Sequence, residues 1–456
     1  MSKKAQFTMY VILGIVVLAV VGIGLYFRER NVENTIDEQA DKIIAEFLAK
    51  GVKNYIELCL TSVSDEGLKR IGLQGGMLLD YQGGSYLPDP SKLGEDFIMI
   101  SQGSESYYVF YGIKAKEGLD PPEYPVDGVR FSDYEYPYFG RNTLVKLCDK
   151  DGPNRPGVVS EVAHPCLAGT YNNLDTELTI QKQLQEYVVS NMNKCVNLSF
   201  YLQNAGHNIS LDGNVTGEVI FGYNGVTFSL VYPLTVRVRN SEPVQKTKSF
   251  TAFSKVRFKE IYNLAYTLIN KDTADIYFDA EKNYSSLYNW APGMTVMVAD
   301  NPCVNCTNGR YDNIIYIQDS KSLIKGEPYV FQFAVKNRRP AIDTNLPSMI
   351  NSRNVDLQIL AADPDDNNVT INFTGWRQDF KTDSALCADD DCLHNIDSSN
   401  SRSFSPLDWD WNSTMVSDNK IIRTLEDVDR GDHSMNITVV DEEGLRDWQE
   451  IHFVVN

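Results

Sequence analysis

The sequence predicts an α+β ectodomain mounted on an N-terminal transmembrane and stem helix, with an all-β sandwich at the C-terminus. Three observations predict it. An uncharged apolar run extends from Phe7 to Phe27. Helix-period and strand-period segments then alternate up to residue 336, and beyond residue 340 only short β runs separated by turns remain.

The apolar run sets the compartment. At 1.5 Å per helical residue it reaches roughly 30 Å, the thickness of a bilayer's hydrocarbon core. Lys3 and Lys4 precede it, the basic flank expected on the cytoplasmic side. Arg28 and Arg30 follow it, but in the company of Glu29, Glu33 and Asp37. A cleaved secretory signal is the alternative. Its apolar core spans only about 7–15 residues and ends at small residues, whereas this run is longer and ends in Tyr26-Phe27-Arg28. Residues 1–5 therefore read as a cytoplasmic leader and 6–27 as a transmembrane helix, meeting the lipid bilayer through residues 7–27. The remainder is expected outside the cell, in a single-pass arrangement.

Cysteines and sequons agree with that placement. The chain has eight cysteines, none in the apolar run, as suits disulfides in an oxidising space. Asn-x-Ser/Thr triplets, candidate glycosylation sites, begin at Asn197, Asn208, Asn214, Asn283, Asn305, Asn368, Asn372, Asn412 and Asn436. The formal net charge is −19, and the two leader lysines lie outside the ectodomain, which is therefore more acidic still. Such a surface repels phosphate backbones and excludes nucleic-acid binding. With 43% hydrophobic and 11% aromatic residues the chain has the composition of packed domains, not of a disordered stalk.

The elements follow in order. Val32, Ile36, Ala40, Ile43 and Phe47 recur at helical steps, so residues 28–70 read as a helical stem, with a break at Gly51 and a third short turn capped by Ser64-Asp65-Glu66. Gly72-Leu73-Gln74-Gly75-Gly76 ends it. Residues 71–336 read as an α+β domain. It opens with strands FIMIS and YYVFYGI, and the Pro- and Tyr-rich stretch 119–157 reads as a long loop. Leu178, Leu184, Val188, Met192 and Cys195 share a helical face. Strands VTGEVIFGY, GVTFSLVY and LTVRVR follow, the first two turning at Asn224-Gly225. One helix is expected over 254–282, then strands MTVMVAD, NIIYIQD and YVFQFAV. The recurrence of a helix ending near a cysteine ahead of strands raises the alternative of two duplicated helix-then-sheet units. Lys336-Asn337-Arg338-Arg339-Pro340 marks the domain boundary, and 337–456 reads as the β-sandwich, through VDLQILAAD, NVTINFTGW, NKIIRTL, HSMNITVVD and WQEIHFVV.

Three resemblances attach to these segments. Lys3-Lys4-Ala5-Gln6 before the apolar core resembles the leader of archaeal type IV pilin-like proteins, which implies peptidase processing between Ala5 and Gln6. The fifth mature position, often Glu in that family, is Tyr10 here. The basic-Gln leader, the single-cysteine helix from Val52 to Leu60, the glycine-rich 72–76 turn and the helix ending at Cys195 together resemble membrane-anchored surface proteins of small-genome archaea. That resemblance implies placement and no activity. Asn337-Arg338-Arg339-Pro340-Ala341-Ile342, Ala362-Asp363-Pro364-Asp365-Asp366, Val439-Val440-Asp441-Glu442-Glu443-Gly444-Leu445 and Asp447-Trp448-Gln449 resemble immunoglobulin- and cadherin-like repeats. There they are the inter-domain linker, an acidic turn after an early strand, and the last hairpin. The likeness raises Asp363, Asp365 and Asp366 as candidate calcium ligands, although the EF-hand pattern is absent.

Other motifs have plainer readings. Sequence alone cannot fix the cysteine pairing. The expected pairs are Cys59–Cys195, Cys148–Cys166, Cys303–Cys306 and Cys387–Cys392. Cys303-Val304-Asn305-Cys306 has redox CxxC spacing, but no helix follows to activate a thiolate. Ser322-Leu323-Ile324-Lys325 has Ser-x-x-Lys spacing, which is frequent by chance. No HExxH, GxSxG, Walker A or GxGxxG pattern occurs. The expected role is therefore non-catalytic: a cell-surface structural or adhesive protein, binding other surface proteins or glycans, with self-assembly through the stem. A pilin-like filament subunit and a surface glycan hydrolase are the alternatives, and no cofactor beyond calcium is expected.

Overall fold

A computed structural model describes residues 50–102, 105–115, 140–148, 178–196, 207–211, 213–238, 245–287, 292–300, 302, 311–344, 349–352, 355–365, 369–379, 402–404, 420–425 and 431–456. In chain order the elements are helix α1 (50–73), strands β1 (Phe97–Gln102), β2 (Glu105–Lys114) and β3 (Arg141–Asn142), and helix α2 (Ile180–Cys195). Strands β4 (His207–Leu211), β5 (Thr216–Phe221), β6 (Val226–Val238) and β7 (Gln245–Ser254) follow, then helices α3 (Phe258–Asp272) and α4 (Ala280–Leu287). The next three strands are β8 (Met294–Ala299), β9 (Asn313–Ile324) and β10 (Glu327–Val335). The last eight are β11 (Ala341–Thr344), β12 (Met349–Ile350), β13 (Val355–Ala362), β14 (Thr370–Asp379), β15 (Arg402–Phe404), β16 (Lys420–Leu425), β17 (Gly431–Val440) and β18 (Arg446–Val455). The content is mixed helix and sheet. Among the described residues no helix is long and apolar enough to cross a membrane. The expected span at 7–27, the leader site at Ala5 and Gln6, and the stem up to residue 49 lie outside them.

Helix α1 runs unbroken through Ser64-Asp65-Glu66, where the sequence predicts a fresh cap, while the break expected at Gly51 abuts residues outside the described ones. Gly51 lies in its first described turn, where an added Cβ would meet nothing. Ser64, Asp65 and Glu66 lie inside it. Val52, Ile56, Cys59, Leu60, Val63, Leu68 and Ile71 are all buried. This stripe runs unbroken past the expected caps, and propagating a formed helix is easier than nucleating another. The glycine pair ends it as its chemistry demands. Gly75 and Gly76 have φ of 69° and 89°, and the Gly76 N–H reaches back to the Ile71 carbonyl at 2.9 Å.

The chain divides into two compact units. Among the described residues the first takes 50–66 and the described parts of Leu184–Ile220 and Thr227–Ser254. Its sheet has the order β4-β6-β5, with β7 also paired to β6. Phe228, Leu230, Tyr232 and Leu234 on β6 alternate with outward residues and are buried, as are Phe250 and Ala252 on β7. Strand β7 has no counterpart among the predicted strands. Its inward face is short, and its outward face carries Ser249, Thr251 and the exposed Phe253. The two strands expected on either side of Pro233 are the single strand β6. The β4 ladder begins one residue later, at Leu234 opposite Leu211, so the missing proline N–H costs no bond in that ladder.

The second unit holds Gly67–Gln183, Phe221–Val226 and Lys255–Asn456 where described. Its largest sheet runs β1-β2-β10-β9-β8, with β3 beside β2. The β2–β10 pair is parallel and the other pairs are antiparallel. The helix expected over 254–282 is two helices, since α3 stops at Thr273 and the Asp279 side chain accepts from the Glu281 and Lys282 N–H groups to start α4. At the foot of α3, Phe258 stacks on Phe221 (5.2 Å) and meets Phe331 edge-on (5.8 Å), giving an aromatic core. The C-terminal strands form two further sheets, β11-β13-β16 and β12-β18-β17-β14-β15. The expected domain boundary at 336/337 falls inside this unit, not between units.

Candidate functional site

Two residues at the centre of the segment read as an inter-domain linker are buried. Asn337 and Arg338 are 2% and 1% exposed, and each reaches a different acidic turn. Arg338 is the centre. Its Nη2 meets Asp365 Oδ1 at 2.7 Å and Nε meets the same oxygen at 3.0 Å, a fork-on-carboxylate pair. Its Nη1 donates to Asp272 Oδ1, and Nη2 also donates to the Pro364 carbonyl at 2.8 Å. Its backbone N–H meets Asp365 Oδ2 at 2.6 Å. Burial works against the charged guanidinium, but Asp272 and Asp365 outweigh it and hold its pKa above the ordinary value.

Each partner is placed by its own element. Asp272 is the last residue of α3, where the helix dipole disfavours a carboxylate, so the guanidinium supplies the missing compensation. Asp365 sits in the turn after β13, which Asp363 shapes by accepting the Asp365 N–H at 2.8 Å. Asn337 Nδ2 donates to Asp441 Oδ2 (3.0 Å) and Glu443 Oε2 (2.8 Å) in the β17–β18 turn. Asp441 Oδ1 in turn accepts from the Gly444 and Leu445 N–H groups. Further along, the Ile342 N–H donates to Asp447 Oδ2 and Gln449 Nε2 donates to the Ile342 carbonyl, so β11 is bonded to β18 through side chains.

A second cluster abuts the first. Asp312, just before β9, accepts from the Asn337 N–H (2.8 Å), from Lys336 Nζ (3.3 Å) and from the Tyr111 hydroxyl. Burial pushes the Asp312 carboxyl above its usual range, only partly offset by Lys336 and the Asn337 N–H, and burial with the Asp312 charge raises the Tyr111 phenol. Burial raises Asp441 as well. A third buried knot lies at the β9 bulge. Arg257 grips both oxygens of Asp319, and Ser322 Oγ donates to Asp319 while accepting the Arg257 N–H. The Ser322 hydroxyl proton is thus committed to a carboxylate, and the Ser-x-x-Lys spacing has a structural explanation.

All the Arg338 partners are protein groups, and the chemistry is one of fixing geometry. The structure brings together the three motifs that carry the immunoglobulin- and cadherin-like likeness: the linker, the acidic turn and the last hairpin. Where the likeness suggests calcium, Asp365 binds a guanidinium. Asp363 shapes the turn, and Asp366 lies outside the described residues. Among the described residues no group of three or more His, Cys, Asp or Glu side chains is arranged to hold a metal ion. Cys59 and Cys195 stand as a disulfide pair with Cα atoms 5.9 Å apart, beside a Tyr55 hydroxyl that donates to the Cys195 carbonyl at 2.8 Å. Cys148 is disulfide-bonded, and Cys166, Cys303, Cys306, Cys387 and Cys392 lie outside the described residues. Of the sequon asparagines, Asn214 is exposed in the loop before β5 and Asn283 is exposed on α4. Asn208, Asn372 and Asn436 fall on β4, β14 and β17. Asn197, Asn305, Asn368 and Asn412 lie outside the described residues.

Sequence reasoning missed Asp272, Asp312 and Tyr111 as members of this site. No local signal marks them, because they are 66, 25 and 201 residues from the partners they meet. No protein-family model matches the chain, and no curated protein does. Among solved structures, the fibronectin(III)-like modules of Clostridium thermocellum CbhA are 10% identical, with 55% of this chain and 94% of that chain covered and a TM-score of 0.15. A likeness at that score carries no argument about fold or function.

Proposed function

We propose that this chain is a membrane-anchored cell-surface structural or adhesive protein without catalytic activity, with residues 6–27 as the anchor and its C-terminus outside the cell. The C-terminal strands are read as an immunoglobulin- or cadherin-like domain of the kind found on archaeal surface proteins. One observation carries the reading. The Arg338 clamp joins α3 to the acidic turn of the C-terminal strands through a fully buried, multiply bonded guanidinium, and burying it is costly unless every partner is supplied. Such a junction holds a terminal domain at a fixed angle, which suits a protein that presents a binding face and resists pulling. The exposed sequon at Asn214 and the Cys59–Cys195 pair are compatible with an oxidising, glycosylating exterior.

Protease accessibility tests the placement. With an epitope tag after Asn456, protease added to intact cells should remove the tag. A tag protected until lysis would place the C-terminus beside Lys3 and end the reading. Force spectroscopy on the purified protein tests the mechanical part. The C-terminal strands should detach at a lower force in Arg338→Met than in the parent, and equal forces would remove the structural role.

A further inference from the structure

The geometry points to a binding site for a single acidic sugar ring at the β9–β10 hairpin. Lys325 and Gly326 connect the strands as a two-residue turn between the paired residues Ile324 and Glu327. Their φ values are 52° and 87°, so both central residues are left-handed, as in a type I′ turn. Asn, Asp or Gly relieves the strain at the first of these positions, and Lys does not. Among the described residues Lys325 is the one non-glycine at positive φ. An outlier of this kind asks for a function that needs that side chain.

The surroundings supply one. Lys325 lines a cavity of about 260 Å³ with Lys69, Glu327, Tyr107, Leu73 and Ile324. The Tyr329 hydroxyl on the same wall is already bonded to the Leu68 carbonyl, so Lys69, Lys325 and Glu327, all exposed, are the charged residues of the lining. Two lysines against one carboxylate give the lining a positive formal balance on a chain of net charge −19. The lysines suit a carboxylate, Glu327 suits ring hydroxyls, and the half-buried Tyr107 ring with the aliphatic wall suits a sugar's apolar face. The volume falls just short of the roughly 300–1,000 Å³ of drug-sized sites, so one ring fits and a longer ligand would extend into solvent.

The inference deepens the proposed surface role by naming the glycan chemistry it would meet. Its test uses purified full-length protein, so a failure of export or anchoring would leave the result unchanged. Saturation-transfer NMR with glucuronate as the probe should show binding near millimolar, with glucose at least about tenfold weaker. Lys325→Asn keeps a residue that tolerates the left-handed turn and removes the ammonium. It should weaken glucuronate binding at least about tenfold with no fall in melting temperature. Lys69→Gln should weaken binding in the same direction. Four results would overturn the proposal: no glucuronate binding, equal displacement by sulfate, unchanged binding in Lys325→Asn, or a Lys325→Asn variant that melts lower than the parent.

Discussion

Gly72 is where one methyl group meets the hardest obstacle. It lies in the last turns of α1, and a Cβ built there would stand 2.2 Å from the Val330 carbonyl oxygen and 2.7 Å from the Tyr329 hydroxyl. The helix gains from Gly→Ala by up to about 1 kcal/mol in the interior. Overpacking against backbone costs about 1–3 kcal/mol, and a strand carbonyl cannot swing aside as a side chain can. The clash should win. Gly72→Ala is expected to lower stability by about 2 kcal/mol in urea titrations, and a neutral or stabilising result would mean α1 does not approach β10 this closely. The same contact is fastened by side chains that cap helix carbonyls, with Tyr329 on Leu68 (2.8 Å) and Gln332 Nε2 on Leu73 (2.6 Å). Tyr329→Phe keeps the ring and loses one hydrogen bond, so about 1 kcal/mol is expected. Its smaller loss serves as the reference against which the Gly72 effect is judged.

At the scale of elements, the junction between α3 and the C-terminal strands shows where pattern reading succeeds and where it stops. The strands FIMIS, YYVFYGI and NIIYIQD, and the five β runs after residue 350, are legible because each is a short run rich in β-branched and aromatic residues. The end of α1 is legible because its two glycines adopt positive φ. The junction is not legible in the same way. Asn337-Arg338-Arg339-Pro340 has the composition of an exposed linker, and what buries Arg338 is the arrival of Asp272 and Asp365 from distant segments. Arg338→Met should therefore cost about 3–5 kcal/mol, since it strands two buried carboxylates. Adding Asp272→Leu and Asp365→Asn should recover most of that loss, Asn being kept at 365 to accept the Arg338 main-chain N–H. If the triple variant is no better than the single one, the loss is packing and not charge. Asp312 gives the pH counterpart. Its folded carboxyl sits above the unfolded value, so the folded state holds the proton more tightly. That contribution to stability is complete below the unfolded pKa, near 4, and is lost as pH rises through the raised folded value. Asp441 acts in the same sense, while Asp319, held low by Arg257 and Ser322 against its burial, acts oppositely and stabilises above its ordinary value. Unfolding free energy should thus fall less steeply as pH rises above about 4 in Asp312→Asn than in the parent. Parallel slopes would show that Asp312 is not the titrating group.

For the whole molecule, chain order and spatial order disagree. The described part of the first unit is gathered from three stretches, 50–66, 184–220 and 227–254, with most of the intervening chain belonging to the second unit. Nothing in local periodicity announces this, because a hydrophobic stripe states that a face is buried and not which segment buries it. A cross-link is the economical answer to such non-local closure. Cys59 and Cys195 are 136 residues apart and both lie in the first unit. In the chain-entropy model a loop of that length stabilises by about 5 kcal/mol, which native strain commonly reduces to about 2–4 kcal/mol. The stabilisation belongs to the unit whose parts it ties, whereas the Arg338 clamp belongs to the second unit. Calorimetry of the full chain should accordingly resolve two transitions, since units with separate cores need not unfold together. Cys59→Ala with Cys195→Ala should lower one of them, and reductant should do the same to the parent but leave that transition of the variant unmoved. Arg338→Met should lower the other. If both variants shifted one common transition equally, the two units would be thermodynamically one. The division of the chain would then describe geometry without describing stability.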